Sequence, residues 1–305
     1  MLQSSKVRGL IRLNLSHHKE KTQEGEIDMK KPIDFESIQL TNDMMFCTVL
    51  QEPELCREFL QRVLGIEIQE LTLTQAQQNM KAGVYSKGIR LDIYAKDVSG
   101  NVYDIEMQKL DTKELDLRSR YYHSEMDSHQ IYEGQGYKDM KESVVIFVCD
   151  FDLFQKERSV YTFESVCRED FNIQLNDKRK TVFVNIRGKR DGVPIDLVKL
   201  LDYLQSSQPT DAYTKDLQRR VARMRDDTKW REQYMTWEMT LQERYEDGVE
   251  AGIEKGIEDK LCSQIRKKLE KGKSLEQIAD ECEETEERVL QLMEKLKISD
   301  CLKNR

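Results

Sequence analysis

The sequence predicts an α/β protein with a mixed β-sheet core and a C-terminal helical region. Residues 89–108 alternate between apolar and polar side chains, as the two strands of a hairpin do. The run "SVVIFVCDF" at 143–151 is continuously apolar, which is typical of a strand buried on both faces. After Pro209 the chain becomes strongly charged and helical in pattern. A strand, a long helix and a buried strand in this order predict a parallel strand pair.

The elements before the hairpin are marked by caps and breakers. Thr41-Asn42-Asp43 is a cap for the helix "MMFCTVL", and Pro53 suits the first turn of a second helix that ends at Gly65. Apolar residues around 66–73 then predict a short first strand.

The hairpin itself has a predictable register. Val98-Ser99-Gly100 reads as a three-residue loop, with Gly100 at the position that needs a positive φ. A loop centred on Ser99 pairs residues whose numbers sum to 198, so Asp92 faces Glu106. Asp104 lies on the same side of the second strand as Glu106.

Two carboxylates in directly opposed positions repel each other across about 5 Å. A divalent cation between them would remove that repulsion. The alternative is an acidic outer face whose charges diverge into water. If the two carboxylates repel each other, replacing Asp92 by asparagine or Glu106 by glutamine is expected to leave the metal-free fold equally or more stable.

The elements after the hairpin complete the predicted core. A helix over 112–134 ends near Gly134, and further strands are expected at 159–167 and 181–187. A helix over 194–206 stops before Pro209. The resulting order is helix, three strands, helix, strand, with later additions.

The C-terminal region contains a four-residue repeat, "GVEAGIEKGIEDKL", with glycines at 248, 252 and 256. Glycine costs roughly 0.8–1 kcal/mol against alanine inside a helix, so close approach of another helix is one explanation. A flexible acidic linker is the other. The tail resembles a helix-turn-helix, but glutamates crowd its second helix, which favours packing over DNA binding.

Composition limits the class of protein. The net charge of −8, from 57 acidic and 49 basic residues among 305, argues against a basic coat but leaves room for a local basic groove. Seven cysteines without a CxxC pair predict reduced thiols in a cytoplasmic protein and no structural zinc. No run is apolar enough to span a membrane.

Four regions are expected along the chain. Residues 1–28 are polar and precede Met29-Lys30-Lys31, a typical start, so they are interpreted as an upstream extension. The nuclease-like core is expected at 29–210, a charged helical segment at 211–262 and a small helical tail at 263–305.

Four segments in this order resemble the PD-(D/E)XK nuclease superfamily, and most closely its transposase-like branch of recombination-promoting nucleases. They are "TNDMMFCTVL", "RLDIYAKDVSGNVYDIEMQ", "RSRYYHSEMDSHQIYEGQGY" and "VVIFVCDF", within residues 33–155. The resemblance implies a restriction-endonuclease-like fold and Mg²⁺-dependent DNA cleavage, with Mn²⁺ as a possible substitute. An alternative is a DNA-binding or assembly protein that keeps the fold without turnover.

The resemblance also implies roles for individual residues. Asp92, Glu106 and the Met107 carbonyl would bind Mg²⁺, which prefers oxygen ligands. Gln108 stands where the family usually has lysine; its amide could orient a water but supplies no charge. Asp43 matches the acidic residue that many members take from the first helix, with Glu52 and Glu58 as rivals and an N-cap as Asp43's other role.

DNA is the expected partner, and basic side chains are its candidate contacts. Arg118 and Arg120 follow the second hairpin strand, where they could meet a phosphate while Tyr121 and Tyr122 stack on a base or sugar. In the alternative, Leu117 and Tyr121 form a core stripe and the arginines are solvated. The most basic stretch flanks a strand, and its members are candidates for following a DNA backbone: Lys178, Arg179, Lys180, Arg187, Lys189 and Arg190.

His123 and Asp127 are expected to form a surface pair. Self-association is expected through the C-terminal helices.

Overall fold

The computed structural model describes residues 33–73, 78–80, 89–91, 93–131 and 136–303, with side chains described except at 78–80, 89–91 and 296–303. The predicted extension at 1–28 and the candidate ligand Asp92 lie outside the described residues. The chain divides into two compact units after Asp227.

The first unit contains five α-helices in the described part of the chain: α1 (Asp43–Val49), α2 (Pro53–Leu64), α3 (Leu115–Ser128), α4 (Ile195–Ser206) and α5 (Ala212–Asp226). Helix α2 ends as expected at Gly65, whose φ of 66° is left-handed. Helix α5 packs against α1, α2 and α4. The first unit therefore extends beyond the predicted boundary at residue 210.

Helix α3 ends earlier than predicted, at Ser128 rather than near Gly134. The Ser128 hydroxyl donates a 2.8 Å hydrogen bond to the Glu125 carbonyl, and His129 Nδ1 lies 2.8 Å from the same oxygen. These side chains satisfy a carbonyl that would otherwise need the next helical turn.

The sheet is mixed, as predicted. Its described strands are β1 (Leu71–Leu73), β4 (Ile93–Asp97), β5 (Val102–Gln108), β6 (Ser143–Cys149), β7 (Val160–Phe163) and β8 (Arg179–Asn185), in the spatial order β1-β4-β5-β6-β8-β7. Strands β5, β6 and β8 are parallel to one another, whereas their other neighbours pair antiparallel. Strands β2 (Gln78–Met80) and β3 (Ile89–Leu91) form a separate antiparallel pair.

The hairpin register is confirmed over its described part. Ile93 faces Ile105 and Tyr94 faces Asp104, so opposed residues sum to 198. Gly100 has a φ of 89°, which an L side chain rarely adopts.

Both faces of the central strands are buried. On one face, α3 packs against β6 and β8 through a cluster that includes Leu115, Tyr122, Phe147 and Phe183. Residues of the opposite parity, such as Ile105, are buried as well. Helices α1 and α2 contact β5 and β1. Because both faces are covered, the even-numbered positions of β5 lie under a helix rather than in water.

The second unit consists of three helices among its described residues. These are α6 (Thr228–Glu270), α7 (Leu275–Cys282) and α8 (Glu286–Lys303). The end of α6 packs against α7 and α8 through Ile265, Ile278, Val289 and neighbouring apolar residues. The tail thus packs on the end of α6, while the expectation that it does not bind DNA stays a prediction.

The glycine repeat lies within the continuous helix α6, so the flexible-linker interpretation is wrong. A Cβ at Gly248, Gly252 or Gly256 would meet no atom within 4 Å among the described residues. Val249, Ile253 and Ile257 beside them are 42%, 42% and 57% exposed. Within the described residues, no helix is both long and apolar enough to cross a membrane.

Candidate functional site

Two carboxylates of β5 are buried beneath α3. Asp104 is fully buried and Glu106 is 1% exposed. Both side chains point to the α3 face because they share the parity of Val102, which packs against that helix. The interpretation of an acidic face diverging into water is therefore wrong. The alternation of the hairpin places Asp104 as a third acid on this face, but its complete burial depends on the packing of α3.

The charge that faces Glu106 comes from α3. Arg118 Nη2 lies 2.5 Å from Glu106 Oε2, and Arg118 Nη1 donates to Gln108 Oε1 at 3.2 Å. Arg118 Nε and Nη2 also donate to the Tyr122 hydroxyl, at 3.1 and 2.6 Å. The guanidinium carbon lies 5.3 Å from the centre of the Tyr122 ring and 5.8 Å from that of Phe147. One planar guanidinium thus joins the strand glutamate to the helix that covers it.

Helical spacing explains why Arg118 points inward. Leu115, Arg118, Tyr122 and Met126 follow one another at intervals of three and four, which places them on one face of a helix. Leu117, by contrast, is 58% exposed. The predicted core stripe through Leu117 is therefore wrong, as is the solvated state of Arg118.

Tyr122 is part of the buried site and is 6% exposed. It cannot stack on a base as predicted, because its ring packs against Phe147 at 6.1 Å between centroids. Burial, and then the nearby Glu106 charge, raise the pKa of Tyr122 well above its usual range, although the hydrogen bonds from Arg118 act in the other direction. The hydroxyl therefore stays neutral and accepts from Arg118.

Gln108 bridges the two charged groups. Its amide oxygen accepts from Arg118, while its Nε2 donates to Glu106 Oε2 at 3.1 Å. Its backbone carbonyl accepts from Asp150 N at 3.0 Å, on the β6 side. Since backbone groups alternate along a strand, the Met107 carbonyl points to the opposite side, toward β3 and β4.

The acidic residue predicted from the first helix has a position but no assigned role. Asp43 is the first residue of α1, which contacts β5, and one of its carboxylate oxygens is buried. Asn42 rather than Asp43 is the N-cap, accepting from Met45 N at 3.1 Å. The rivals Glu52 and Glu58 form ion pairs at 3.1 and 2.9 Å with arginines of α5 and α2, respectively.

Oxygen donors suited to Mg²⁺ are present at the end of β5: the Glu106 carboxylate and the Met107 carbonyl. The guanidinium against Glu106 Oε2 is a cation at the position where the prediction requires one. Within the described residues, no group of three or more histidine, cysteine, aspartate or glutamate side chains could hold a metal ion. Asp92, the other predicted carboxylate, lies outside them.

The order of elements around the buried glutamate is a helix, three strands, a helix and a parallel strand. One protein family matches a chain segment that contains all of them. The model of the PD-(D/E)XK nuclease family transposases matches residues 42–246. The chain belongs to this family. No match was found among curated proteins or among solved structures. The PD-(D/E)XK domain supports a nuclease-like function, and nucleases of this family generally use divalent metals.

The sheet of this PD-(D/E)XK domain separates the basic stretch into two groups. Lys178, Arg179 and Lys180, here the amino-edge group, lie where β8 begins, whereas Arg187 and Lys189, here the carboxyl-edge pair, follow its end. Gln108 ends the parallel strand β5, so Glu106 and the carboxyl-edge pair share one edge. The stretch is therefore not a single surface.

The contacts of these basic residues differ. Arg187 binds Asp150 at 2.8 Å, and Lys189 binds Glu157 at 2.5 Å, with both basic side chains more than 60% exposed. Arg190 has a different environment, since it donates to the Ile186 and Gly188 carbonyls. In the amino-edge group, Lys180 pairs with Glu142 at 3.0 Å, and Lys178 donates to the Met140 carbonyl at 2.9 Å. Arg120 is exposed on α3.

His123 does not form the surface pair predicted with Asp127. It is 1% exposed, and its Nδ1 and Nε2 lie 2.9 and 3.0 Å from the Ser143 and Thr181 hydroxyls. The histidine therefore links α3 to β6 and β8.

Burial is the main cause of a low pKa at His123. The pKa is lowered to about 4, with a further contribution from Arg179 that Asp177 partly opposes. The ring is therefore neutral near pH 7, and its two nitrogens serve one donor and one acceptor role toward the hydroxyls.

Proposed function

We propose that this family member is a Mg²⁺-dependent DNA endonuclease that hydrolyses phosphodiester bonds in mobile-element or recombination-related processes. The observation that carries the proposal is the buried Glu106 at the carboxyl end of β5, with a cation already at its Oε2. The confirmed register supports Asp92 as its opposing carboxylate, since the sum of 198 holds for the described pairs.

The proposed site uses oxygen ligands from one end of the hairpin. Asp92, Glu106 and the Met107 carbonyl would hold Mg²⁺ or Mn²⁺, with Asp43 as the candidate fourth ligand. A divalent cation bound there would lower the pKa of a bound water and offset charge on the phosphoryl oxygens.

The other residues have positioning roles in this proposal. Gln108 would orient a water through its amide, and Arg118 would contact a phosphate once it is released from Glu106. Arg120 and the carboxyl-edge pair would follow the DNA backbone, because they can reach the same side of the domain without a buried role. The amino-edge group and Arg190 are not part of the proposed DNA path.

A cytoplasmic location belongs to the same proposal. The six cysteines with described side chains are free thiols, which fits a reducing compartment.

Plasmid nicking with Mg²⁺ or Mn²⁺ tests the proposal. The wild type is expected to nick the plasmid, and Asp92→Asn and Glu106→Gln are expected to abolish cleavage while keeping the wild-type circular-dichroism spectrum. Glu54→Gln is the matched control, because its side chain is 81% exposed on α2. Cleavage by folded Asp92→Asn or Glu106→Gln at the wild-type rate would overturn the assignment.

The second candidate function is DNA binding without turnover. It is favoured by Gln108, which supplies no charge and whose amide is engaged on both sides. This function predicts metal-independent DNA binding by the wild type and no nicking with either cation.

A further inference from the structure

The ion pair between Arg118 and Glu106 places a positive charge on a proposed metal ligand. Glu106 Oε2 accepts from Arg118 Nη2 at 2.5 Å and from Gln108 Nε2 at 3.1 Å. These two donors account for the two lone pairs of that oxygen. A metal ion could share Oε2 only if at least one of them moved away.

The surroundings strengthen the hold of Arg118 on the carboxylate. Glu106 is 1% exposed and the Arg118 side chain 29% exposed, so the pair is only weakly screened by water. The Tyr122 hydroxyl also holds the guanidinium, at 2.6 Å from the same Nη2. The arginine thus occupies a prepared position rather than a chance surface contact.

We infer that Arg118 is the built-in counter-ion of Glu106 and that it competes with a divalent cation for this carboxylate. Of the two donors on Oε2, Arg118 is the one that has to leave for a metal ion to bind there, because its positive charge repels the cation whereas the neutral Gln108 amide does not. The Arg118 side chain therefore lowers the affinity of the site for a divalent cation. While no cation is bound, it compensates the negative charge of the buried Glu106 carboxylate. This inference rests on the proposed function, because it takes Glu106 as a metal ligand.

Calorimetry with Mn²⁺ on the full chain tests the competition. Arg118→Met removes the charge while keeping an apolar stem, and it is expected to bind Mn²⁺ about tenfold more tightly than wild type, which corresponds to about 1.4 kcal/mol. Arg118→Lys keeps a charge but loses the planar fork that contacts Glu106, Gln108 and Tyr122 together, so a smaller gain is expected. Arg219→Met is the control, with unchanged affinity, because its side chain is 78% exposed on α5 and has no part in the proposed site.

The melting temperature is a second readout, and like calorimetry it does not depend on activity. Without metal, Arg118→Met is expected to melt at a lower temperature than wild type, because Glu106 loses its counter-ion. Saturating Mn²⁺ is then expected to raise the melting temperature of Arg118→Met by more than that of the wild type. If Arg118→Met does not fold, Arg118→Lys carries the same comparison.

The direction of the affinity change decides the result. If Arg118 only holds Glu106 in place for the metal, Arg118→Met binds Mn²⁺ more weakly than wild type, and the competition is refuted. Equal affinity in wild type, Arg118→Met and Arg118→Lys refutes it too but leaves the proposed metal site intact. Absence of Mn²⁺ binding in all of them overturns the proposed metal site together with the inference.

Discussion

Glu106→Gln is expected to destabilise the metal-free protein, contrary to the expectation from the hairpin sequence. Two like charges across the hairpin would make the neutral amide equally or more stable. The described charged neighbour of Glu106 is instead Arg118, at 2.5 Å from a carboxylate whose side chain is 1% exposed. Glutamine keeps the shape and an acceptor oxygen but removes the attraction between the two charges.

The size of the loss follows from burial. Removing one partner of a buried ion pair costs about 3–5 kcal/mol. Water reaches the Arg118 side chain, which is 29% exposed and recovers part of its hydration when the carboxylate is neutralised. We therefore expect the free energy of unfolding to fall by about 2 kcal/mol, below the fully buried range.

Urea unfolding in the presence of a chelator measures this loss. Glu157→Gln is the control, because its partner Lys189 is exposed and such pairs contribute about 0–1 kcal/mol. The double variant Glu106→Gln, Arg118→Met should lose less stability than the sum of the single variants, since they share one interaction. Unchanged or increased stability of Glu106→Gln would refute the ion-pair argument and restore the like-charge one.

Three further predictions concern other parts of the molecule. The pKa of His123 is about 4 in the folded protein and about 6.5 in the unfolded chain. Wild-type stability should therefore fall by about 3 kcal/mol as the pH drops from 6.5 to 4, because the unfolded chain binds the proton first. Urea unfolding at each pH measures this loss, which His123→Asn should lack. Replacing the carboxyl-edge pair by alanine should make the plot of log affinity for DNA against log salt concentration less steep, by nearly one unit for each phosphate that is no longer neutralised. Alanines in the amino-edge group should leave that slope unchanged. An equal effect in both groups would refute the proposed DNA path. If the exposed residues Val249, Ile253 and Ile257 of α6 mediate self-association, Ile253→Glu should reduce the sedimentation coefficient. Ala251→Glu is the control, because it lies two residues away on the opposite helix face and should have no effect. Identical sedimentation of both variants and wild type would contradict the predicted oligomer.

The hairpin could be predicted from sequence because its signals are local. Alternation identifies the strands, and Gly100 fixes the loop, so the register follows without knowledge of the rest of the fold. The ends of α2 are similarly local, since Pro53 and Gly65 act through their own backbone preferences. The burial of Asp104 is different in kind, because it depends on where α3 packs.

The direction of Arg118 depends on which face of α3 is chosen as the buried one. A stripe through Leu117 and Tyr121 and one through Leu115, Tyr122 and Met126 are both compatible with helical spacing. The second stripe has three members separated by seven and four residues, and a longer stripe is the better predictor of a buried face. The arginine between its first two members is then expected against the sheet, where the structure has it.

The division of the basic stretch is also implicit in the predicted strand. A strand of seven residues is more than 20 Å long at about 3.3 Å per residue. Residues that flank β8 on both sides therefore lie at opposite edges of the sheet. Charge counted along the sequence overestimates a binding surface whenever a strand separates the charges.

The positive charge beside Glu106 is supplied by helix α3 and not by strand β5, which carries the motif residues Glu106 and Gln108. A lysine at the third motif position would extend from the same strand as Glu106, on a flexible stem with a compact ammonium. Here that position is the neutral Gln108, and the charge beside Glu106 belongs to α3. A guanidinium cannot be neutralised near pH 7 and is held by Tyr122 as well as by Glu106. Any shift of α3 relative to β5 would therefore move the cation of the site while leaving its carboxylate in place.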